Sequence, residues 1–262
     1  MRTELLQPGP ALALGALLDV PVPDLERDGL PLLWHWVYLL DHPAQADLGA
    51  DGHPVRDTVA ATPGRGRRRM WAGGRIRTAG ALRCGEEATR RSTILSTKDK
   101  EGRSGKLTFV VVRNEVLQRG EVVVDEEQDI VYRDAGTTPL RVDEGAEVGA
   151  AGDEWSIDVS PTLLFRFSAL TYNAHRIHYD RDYARDVEGY PGLVTHGPLQ
   201  ALAMAEAARA RGCAGDQHFD YRLISPLFAH QGLIAKAEKT SEATTTSVRD
   251  RYGRVTATGQ LR

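Results

Sequence analysis

Cysteine is nearly missing from this chain: of 262 residues only Cys84 and Cys213 are cysteines, far apart and in no C-x-x-C spacing. That excludes a disulfide framework and a cysteine-built zinc site, and it fits a reducing compartment such as the cytoplasm. Long hydrophobic runs are missing too. Although 41% of the residues are hydrophobic, no apolar window approaches the roughly 20 residues that a membrane-spanning helix needs. The opening stretch MRTELLQPGPALALGALLDV carries a short apolar run, but an acidic residue and two prolines interrupt it and no signal-peptide cleavage pattern follows. Charge of one sign is also lacking: 33 Lys and Arg against 36 Asp and Glu leave a net charge of -3, which argues against a nucleic-acid or membrane partner. The one basic run, RGRRRM (65–70), sits in a Gly-rich stretch and reads as a solvated loop able to meet an anionic ligand. The expectation is a soluble, cytoplasmic protein.

A chain of this length can bury one large core or two small ones. PLLWHWVYLL (31–40) is dense in aromatic and apolar residues and is expected to be buried, while 41–69, rich in Gly, Pro, Asp and Arg, reads as a long loop. From Gly74 to Arg133 the character is β, with KLTFVVVRNEVL and EVVVDEEQDIVYR separated by Gln118-Arg119-Gly120 as a hairpin. Residues 135–153 are polar, Gly-rich and aperiodic, and are taken as a linker between an N-terminal half (1–134) and a C-terminal half (154–262). SPTLLFRFSALT reads as a strand. PLQALAMAEAARARG reads as one clear helix, opened by Pro198 and closed by Gly212. Two further β stretches follow it, with a turn near Tyr252-Gly253. A short echo, Arg77 to Leu82 against Arg222 to Leu227, hints at two copies of one α+β unit, the first without an obvious central helix.

The densest chemistry lies in FSALTYNAHRIHYD (167–180) and GLVTHGPLQALAMAE (192–206). Asn173 is placed to cap a short helix, and His175 and His178, three apart, share a face of it. Those roles would be structural and complete in themselves. Thr195-His196-Gly197-Pro198, however, opens the Ala-rich helix, so the Gly197 N–H stands at a helix N-terminus, a donor for an anion with room for close approach. An imidazole to move a proton and a backbone donor to hold an oxyanion are what addition of water to an unsaturated thioester requires.

These residues resemble the hydratase/dehydratase branch of the hot-dog fold, the MaoC-like (R)-specific enoyl-thioester hydratases. In particular, N-x-H-R-I-H is similar to the subgroup of type 2 3-hydroxyacyl-thioester dehydratases and mesaconyl-C4-CoA hydratases. LPLLWHWVYLLD, DGHP, RRRMWAGGRI, EGRSGKLTFVVVRNEV and EEQDIVYR extend the resemblance into the first half; the loop TVAATPGRGRRRMW departs from the family's Pro-rich form. The resemblance implies an α+β double hot-dog, an antiparallel sheet wrapped around a central helix, with a degenerate N-terminal half. It implies catalysis by His178, by Asn173 (on the family's catalytic Asp) and by Gly197 (on the oxyanion-hole Gly). Asp180 matches the motif's final Asp. His175, Arg176, Tyr172 and His196 are expected to bind substrate or shape the turn. Arg176 and Arg67 to Arg69 are candidates to bind the CoA phosphates or a substrate carboxylate and are as well read as surface arginines, and Trp34 and Trp71 as core or pocket wall.

The expected activity is a hydro-lyase without cofactor or metal that interconverts an enoyl thioester and its (3R)-hydroxyacyl thioester. Its partner is a CoA or acyl-carrier-protein substrate, and its assembly a homodimer. Asn173 cannot take a proton, so His178 is expected to act as base and then acid, with Asn173 positioning the water. The alternatives are an acyl-thioester binding protein, favoured by the missing carboxylate at 173, and a hot-dog thioesterase, for which Asp180 is the nearby carboxylate. A metal site on His175, His178, Asp180 and His196 lacks the H-E-x-x-H spacing of a zinc hydrolase.

Overall fold

A computed structural model describes residues 1–56, 67–102, 105–134, 142, 144–213 and 217–262. Residues 57–66, within the expected loop 41–69, and most of the expected linker (135–141 and 143) lie outside the described residues.

Among the described residues ten strands form one antiparallel sheet. In chain order they are β1 (Arg2–Leu5), β2 (Arg67–Thr78), β3 (Glu87–Gly102), β4 (Gly105–Gln118), β5 (Glu121–Asp134), β6 (Trp155–Ile157), β7 (His218–Leu223), β8 (Leu233–Lys239), β9 (Thr244–Arg249) and β10 (Val255–Leu261). Their order across the sheet is β1-β3-β4-β5-β2-β7-β10-β9-β8-β6. Outward from the β2–β7 seam, the first half reads β2-β5-β4-β3-β1 and the second β7-β10-β9-β8-β6, which is the same order. The sequence echo falls on this repeat, since Arg77 lies in β2 and Arg222 in β7.

Local chemistry explains the joints. The β4–β5 turn is Arg119-Gly120, with φ of 54° and 85°, the left-handed pair that a two-residue hairpin demands. At the seam, Gly73 pairs with Arg222 and Gly74 with Tyr221. A Cβ on Gly73 would lie 2.4 Å from the Tyr221 carbonyl oxygen, so the two halves join where a side chain is missing. Trp71 Nε1–H then donates to Tyr221 Oη across the seam at 2.7 Å.

Among the described residues three α-helices accompany the strands: α1 (Pro8–Leu18), α2 (Pro161–Leu170) and α3 (Gly197–Ala210). The opening apolar run is therefore β1 and α1. SPTLLFRFSALT, expected as a strand, is α2. Ser160 Oγ accepts the Leu163 N–H at 3.1 Å, a cap worth about 1 kcal/mol. Leu164, Phe167 and Ser168, at helical spacing, are its buried face. α3 is the expected Ala-rich helix and packs on β8, β9 and β10. Nearly all its side chains are buried, alanines above all, as suits a helix enclosed by a sheet. Its one buried carboxylate, Glu206, accepts Trp34 Nε1–H at 2.8 Å and pairs with Arg209 at 2.6 Å. Trp34 belongs to a 3-10 turn, Trp34–Val37, in the first half. No long helix covers β3, β4 and β5 of that half among the described residues, and that absence leaves room for a cavity.

Candidate active site

α2 ends where Asn173 N–H donates to the Ser168 carbonyl at 2.8 Å and Tyr172 turns left-handed (φ 50°). Asn173 does not cap a helix as expected. Its Oδ1 accepts the His175 N–H at 3.0 Å, turning the chain into a 3-10 turn, Arg176–His178, flanked by His175. A side-chain amide competes well for a nearby backbone donor, and here the local turn wins.

That turn delivers His178 into the interior, 7% exposed. Its Nδ1 lies 2.7 Å from the Val194 carbonyl oxygen. A carbonyl only accepts, so Nδ1 carries the proton and Nε2 keeps its lone pair in the neutral ring. Val194 is itself fixed: its N–H donates to the Ile177 carbonyl at 2.9 Å, and it bridges to Phe228.

His178 belongs to an array of four imidazoles. His196, fully buried, stacks on it at 3.6 Å and 20°, with its Nε2 2.9 Å from Ser168 Oγ. His175 meets it edge-on at 5.4 Å. His53, from the loop far upstream, lies 4.0 Å from His175 between ring centroids, and its Nδ1 is 3.0 Å from Asp51 Oδ2. Burial, opposed by the bond to Val194, pushes the His178 pKa down to about 4. His175 and His196 are held well below the ordinary imidazole value, chiefly by burial and then by the neighbouring rings. Burial and the Arg69 charge lower His53 despite its bond to Asp51. Asp51 runs the other way. Burial pushes it up, but the His53 hydrogen bond and its backbone bonds prevail and hold it below the usual carboxylate value. At neutral pH the site is therefore four neutral rings and one ionised carboxylate.

Gly197 is the first residue of α3, where backbone N–H groups have no partner in the helix ladder. A Cβ there would lie 2.3 Å from Leu223 Cδ1, so any larger residue would have to displace the end of that leucine side chain. Close by, Thr195 Oγ1 and His196 Nδ1 are buried and make no hydrogen bond among the described residues.

A cavity of about 600 Å³ occupies the inner face of the first half, against β3, β4 and β5, in the place that α3 fills in the second. Asn173, Ala174, Trp71, Arg69 and Pro198 are among the residues that line it. Tyr172, 56% exposed, also lines it, and its ring packs against His42. His175, His178, His196 and Gly197 are not part of the wall; His178 lies five residues beyond Asn173 and Gly197 immediately precedes Pro198. Glu126, buried in the wall, accepts hydrogen bonds from Trp36 Nε1 and Gln128 Nε2. Burial raises its pKa, yet these donors and His35 hold it below the usual value.

Arg176 is engaged elsewhere. It pairs with Asp180 at 2.7 Å, donates to the Ala50 carbonyl at 3.1 Å and lies over the Tyr183 ring. The arginine run is not a solvated loop in its described part, because Arg67 to Met70 begin β2. Arg68 is buried with Glu188 at 2.6 Å, and Arg67 pairs with Asp134 at 3.4 Å. Strand pairing with β5 draws these side chains in. Arg69 bonds Tyr132 and has no carboxylate partner among the described residues; its Nε is buried without an acceptor.

Sequence reasoning missed Asp51, His53 and Ser168 as parts of the cluster. DGHP stood out only as a motif, and nothing local could place it against residues so far downstream. Asp51, His53 and His175 offer donor atoms within 4.8 Å of one another, looser than the roughly 3.4 Å between ligands of a tetrahedral zinc. The Arg69 charge also opposes a cation there.

The hydroxyacyl-thioester dehydratase type 2 family model matches residues 33–229. The mesaconyl-C(4)-CoA hydratase of Chloroflexus aurantiacus is 45% identical over 221 residues, covering 83% of this chain and 78% of that protein. Among solved structures, a MaoC-like dehydratase from Phytophthora capsici superposes with a TM-score of 0.69 at 14% identity, over 99% of this chain and 93% of that one. A Mycobacterium tuberculosis protein with a double hot-dog fold superposes with a TM-score of 0.53 at 14% identity, over 99% and 92%. These likenesses establish the double hot-dog architecture that the paired five-strand halves display.

Proposed function

The chain belongs to the hydroxyacyl-thioester dehydratase type 2 family, a hydro-lyase acting on acyl thioesters, and we propose that His178 is its acid–base group. The observation that carries this reading is the 2.7 Å bond from His178 Nδ1 to the Val194 carbonyl. With Nδ1 committed, Nε2 is the basic nitrogen, and the low pKa keeps it unprotonated at neutral pH.

In hydration, Nε2 takes a proton from water as the water oxygen bonds to C3 of the enoyl thioester. The electron pair of the double bond moves to the thioester carbonyl, and the oxyanion is held by the Gly197 N–H at the head of α3, a contribution of about 3 kcal/mol on the scale of oxyanion-hole donors. The imidazolium then returns its proton to C2 on the same face, giving the (3R)-hydroxyacyl thioester; dehydration is the reverse. Asn173, which lines the cavity, directs its amide to the water or the 3-hydroxyl. His175 and His196 pack against the acid–base ring, Tyr172 borders the acyl cavity, and Arg176 braces the turn through Asp180.

The acyl group is proposed to carry a carboxylate close to the double bond. Arg69 supports this, because it lines the cavity without a carboxylate partner among the described residues and its charge reaches His53 and His175. The similarity to a mesaconyl-C(4)-CoA hydratase points the same way. The carrier is CoA or an acyl carrier protein, the compartment the cytoplasm and the assembly a homodimer. The chain divides into halves at 1–134 and 154–262. Carrier competition, fractionation and native mass measurement test the first three.

Hydration of an enoyl-CoA in heavy water tests the reaction itself. The expected product is a (3R)-hydroxyacyl-CoA with one deuterium at C2 and the thioester intact. Release of free CoA would make the protein a thioesterase, and binding without a product an acyl-thioester carrier.

A further inference from the structure

The loop 49–54 is built into the segment that carries the acid–base histidine. Arg176 N–H donates to the Asp51 carbonyl at 2.9 Å, and Arg176 Nη1 to the Ala50 carbonyl at 3.1 Å. Gly52 presses so closely on Ala174 that a Cβ would lie 1.8 Å from the Ala174 carbonyl oxygen, at a left-handed φ of +89°. This clasp holds two side chains of the first half against the imidazole array of the second. His53 lies against His175, His175 meets His178, and Asp51 binds His53.

We propose that the Asp51–His53 pair is a positioning and charge-balancing unit for His178, by which the first half supplies the ionised carboxylate that offsets the positive charge forming on that ring. The inference rests on the reading of His178 as the acid–base group. An imidazolium at His178 forms in a buried site, five residues beyond Asn173, which cannot ionise, and with Arg69 as a second positive charge. Several charged or titratable groups make up or face the array. Arg69 comes from β2, His196 from the head of α3, and His175 from the same segment as His178. Tyr183 and Glu188, on and after the π-helical turn Tyr183–Val187, lie within the field of Asp51. The other carboxylates are already engaged, Glu188 with Arg68 and Asp180 with Arg176. Among the carboxylates of the described residues only Asp51 bonds a ring of the array.

No proton needs to pass along the rings. Water loses one O–H bond, its proton goes to His178 Nε2 and then to C2, and its oxygen bonds to C3, while Asp51 and His53 end unchanged. Their contribution is a fixed negative charge and a ring held in place. Both lower the cost of the imidazolium, because charge placed in advance in a site of low polarity acts without reorganising.

The test measures kcat and KM for enoyl-CoA hydration across pH in the full chain, wild type beside Asp51→Asn, Asp51→Ser and Asp51→Glu. The neutral replacements are expected to lower kcat about tenfold or more with KM changed by no more than about twofold. They should also move the acid limb of the kcat/KM profile to lower pH, since an imidazole without its carboxylate holds a proton less tightly. Asp51→Glu should keep the limb in place. Asn173→Asp added to Asp51→Asn returns a carboxylate to the site and should recover part of the lost kcat and move the limb back up. Two neutral replacements keep the test standing if one fails to fold. Unchanged kcat would overturn the proposal. So would a fall in kcat with the acid limb unmoved, which would make the loop a structural clasp only. Stoichiometric metal in the purified protein, lost on Asp51→Asn, would overturn it as well. His178→Ala separates the layers: if it abolishes hydration while Asp51→Asn changes nothing, the base stands and this inference falls. Hydration surviving His178→Ala removes the base itself.

Discussion

His178 Nδ1 and the Val194 carbonyl oxygen are 2.7 Å apart, and that one bond decides which ring nitrogen is left to act. It also ties the histidine to the strand-like segment leading into α3, so the proposed proton-transfer group and the helix head are held together. Replacing His178 by Gln keeps a donor for Val194 but removes the base. The expected result is a fall in kcat of about 10²- to 10⁴-fold with the melting temperature close to wild type. Stopped assays and thermal unfolding check the two halves of this statement.

Gly197 faces Leu223 so closely that packing and chemistry can be separated by experiment. Gly197→Ala is expected to lose about 1–3 kcal/mol through overpacking against Leu223 and to lower kcat as well. Gly197→Ala with Leu223→Ala should recover much of the stability but not the rate, if the N–H serves an oxyanion that the added methyl crowds. Denaturant titration beside steady-state kinetics reads both.

Buried neutral imidazoles make the fold sensitive to acid. The folded pKa of His178 lies near 4, below its unfolded value of about 6.5, and His53, His175 and His196 are lowered too. The unfolded chain therefore binds more protons as pH falls below about 6.5, so stability is full above that value and is lost toward pH 4. Each such histidine adds a slope of up to about 1.4 kcal/mol per pH unit, and His178 alone about 3 kcal/mol over the window. Urea unfolding at several pH values checks this. His196→Asn or His53→Asn should flatten the slope.

Arg69 gives the substrate prediction. Arg69→Gln is expected to raise KM about tenfold or more for thioesters with a carboxylate near the double bond. It should leave crotonyl-CoA within about threefold. Equal effects on both classes would assign Arg69 to the cavity wall without a role in acyl choice.

Much of this architecture was legible in the residues. Pro198, the alanine run and Gly212 bound α3 correctly, and Arg119-Gly120 marked its hairpin, because both signals are local backbone chemistry. α2 was misread. Its apolar run looks like a buried strand, and only the Ser160-Pro161 start, followed by burial at Leu164, Phe167 and Ser168, shows the helix. The arginines at 67 to 69 were misplaced because strand pairing with β5 is a long-range event. The close approach of His175, His178 and His196 followed from a motif and a short loop. Asp51 and His53 join them through the Arg176 hydrogen bonds to the Ala50 and Asp51 carbonyls, long-range contacts that no local pattern records.

The most direct test of the central claim is mass spectrometry of enoyl-CoA thioesters incubated with wild-type protein and with His178→Ala. The panel is crotonyl-, longer-chain, mesaconyl- and itaconyl-CoA. The account predicts gain of one water with the thioester intact, strongest for a carboxylate-bearing member and lost in the variant. Hydration that persists in His178→Ala, or free CoA in place of a hydrated thioester, would contradict it.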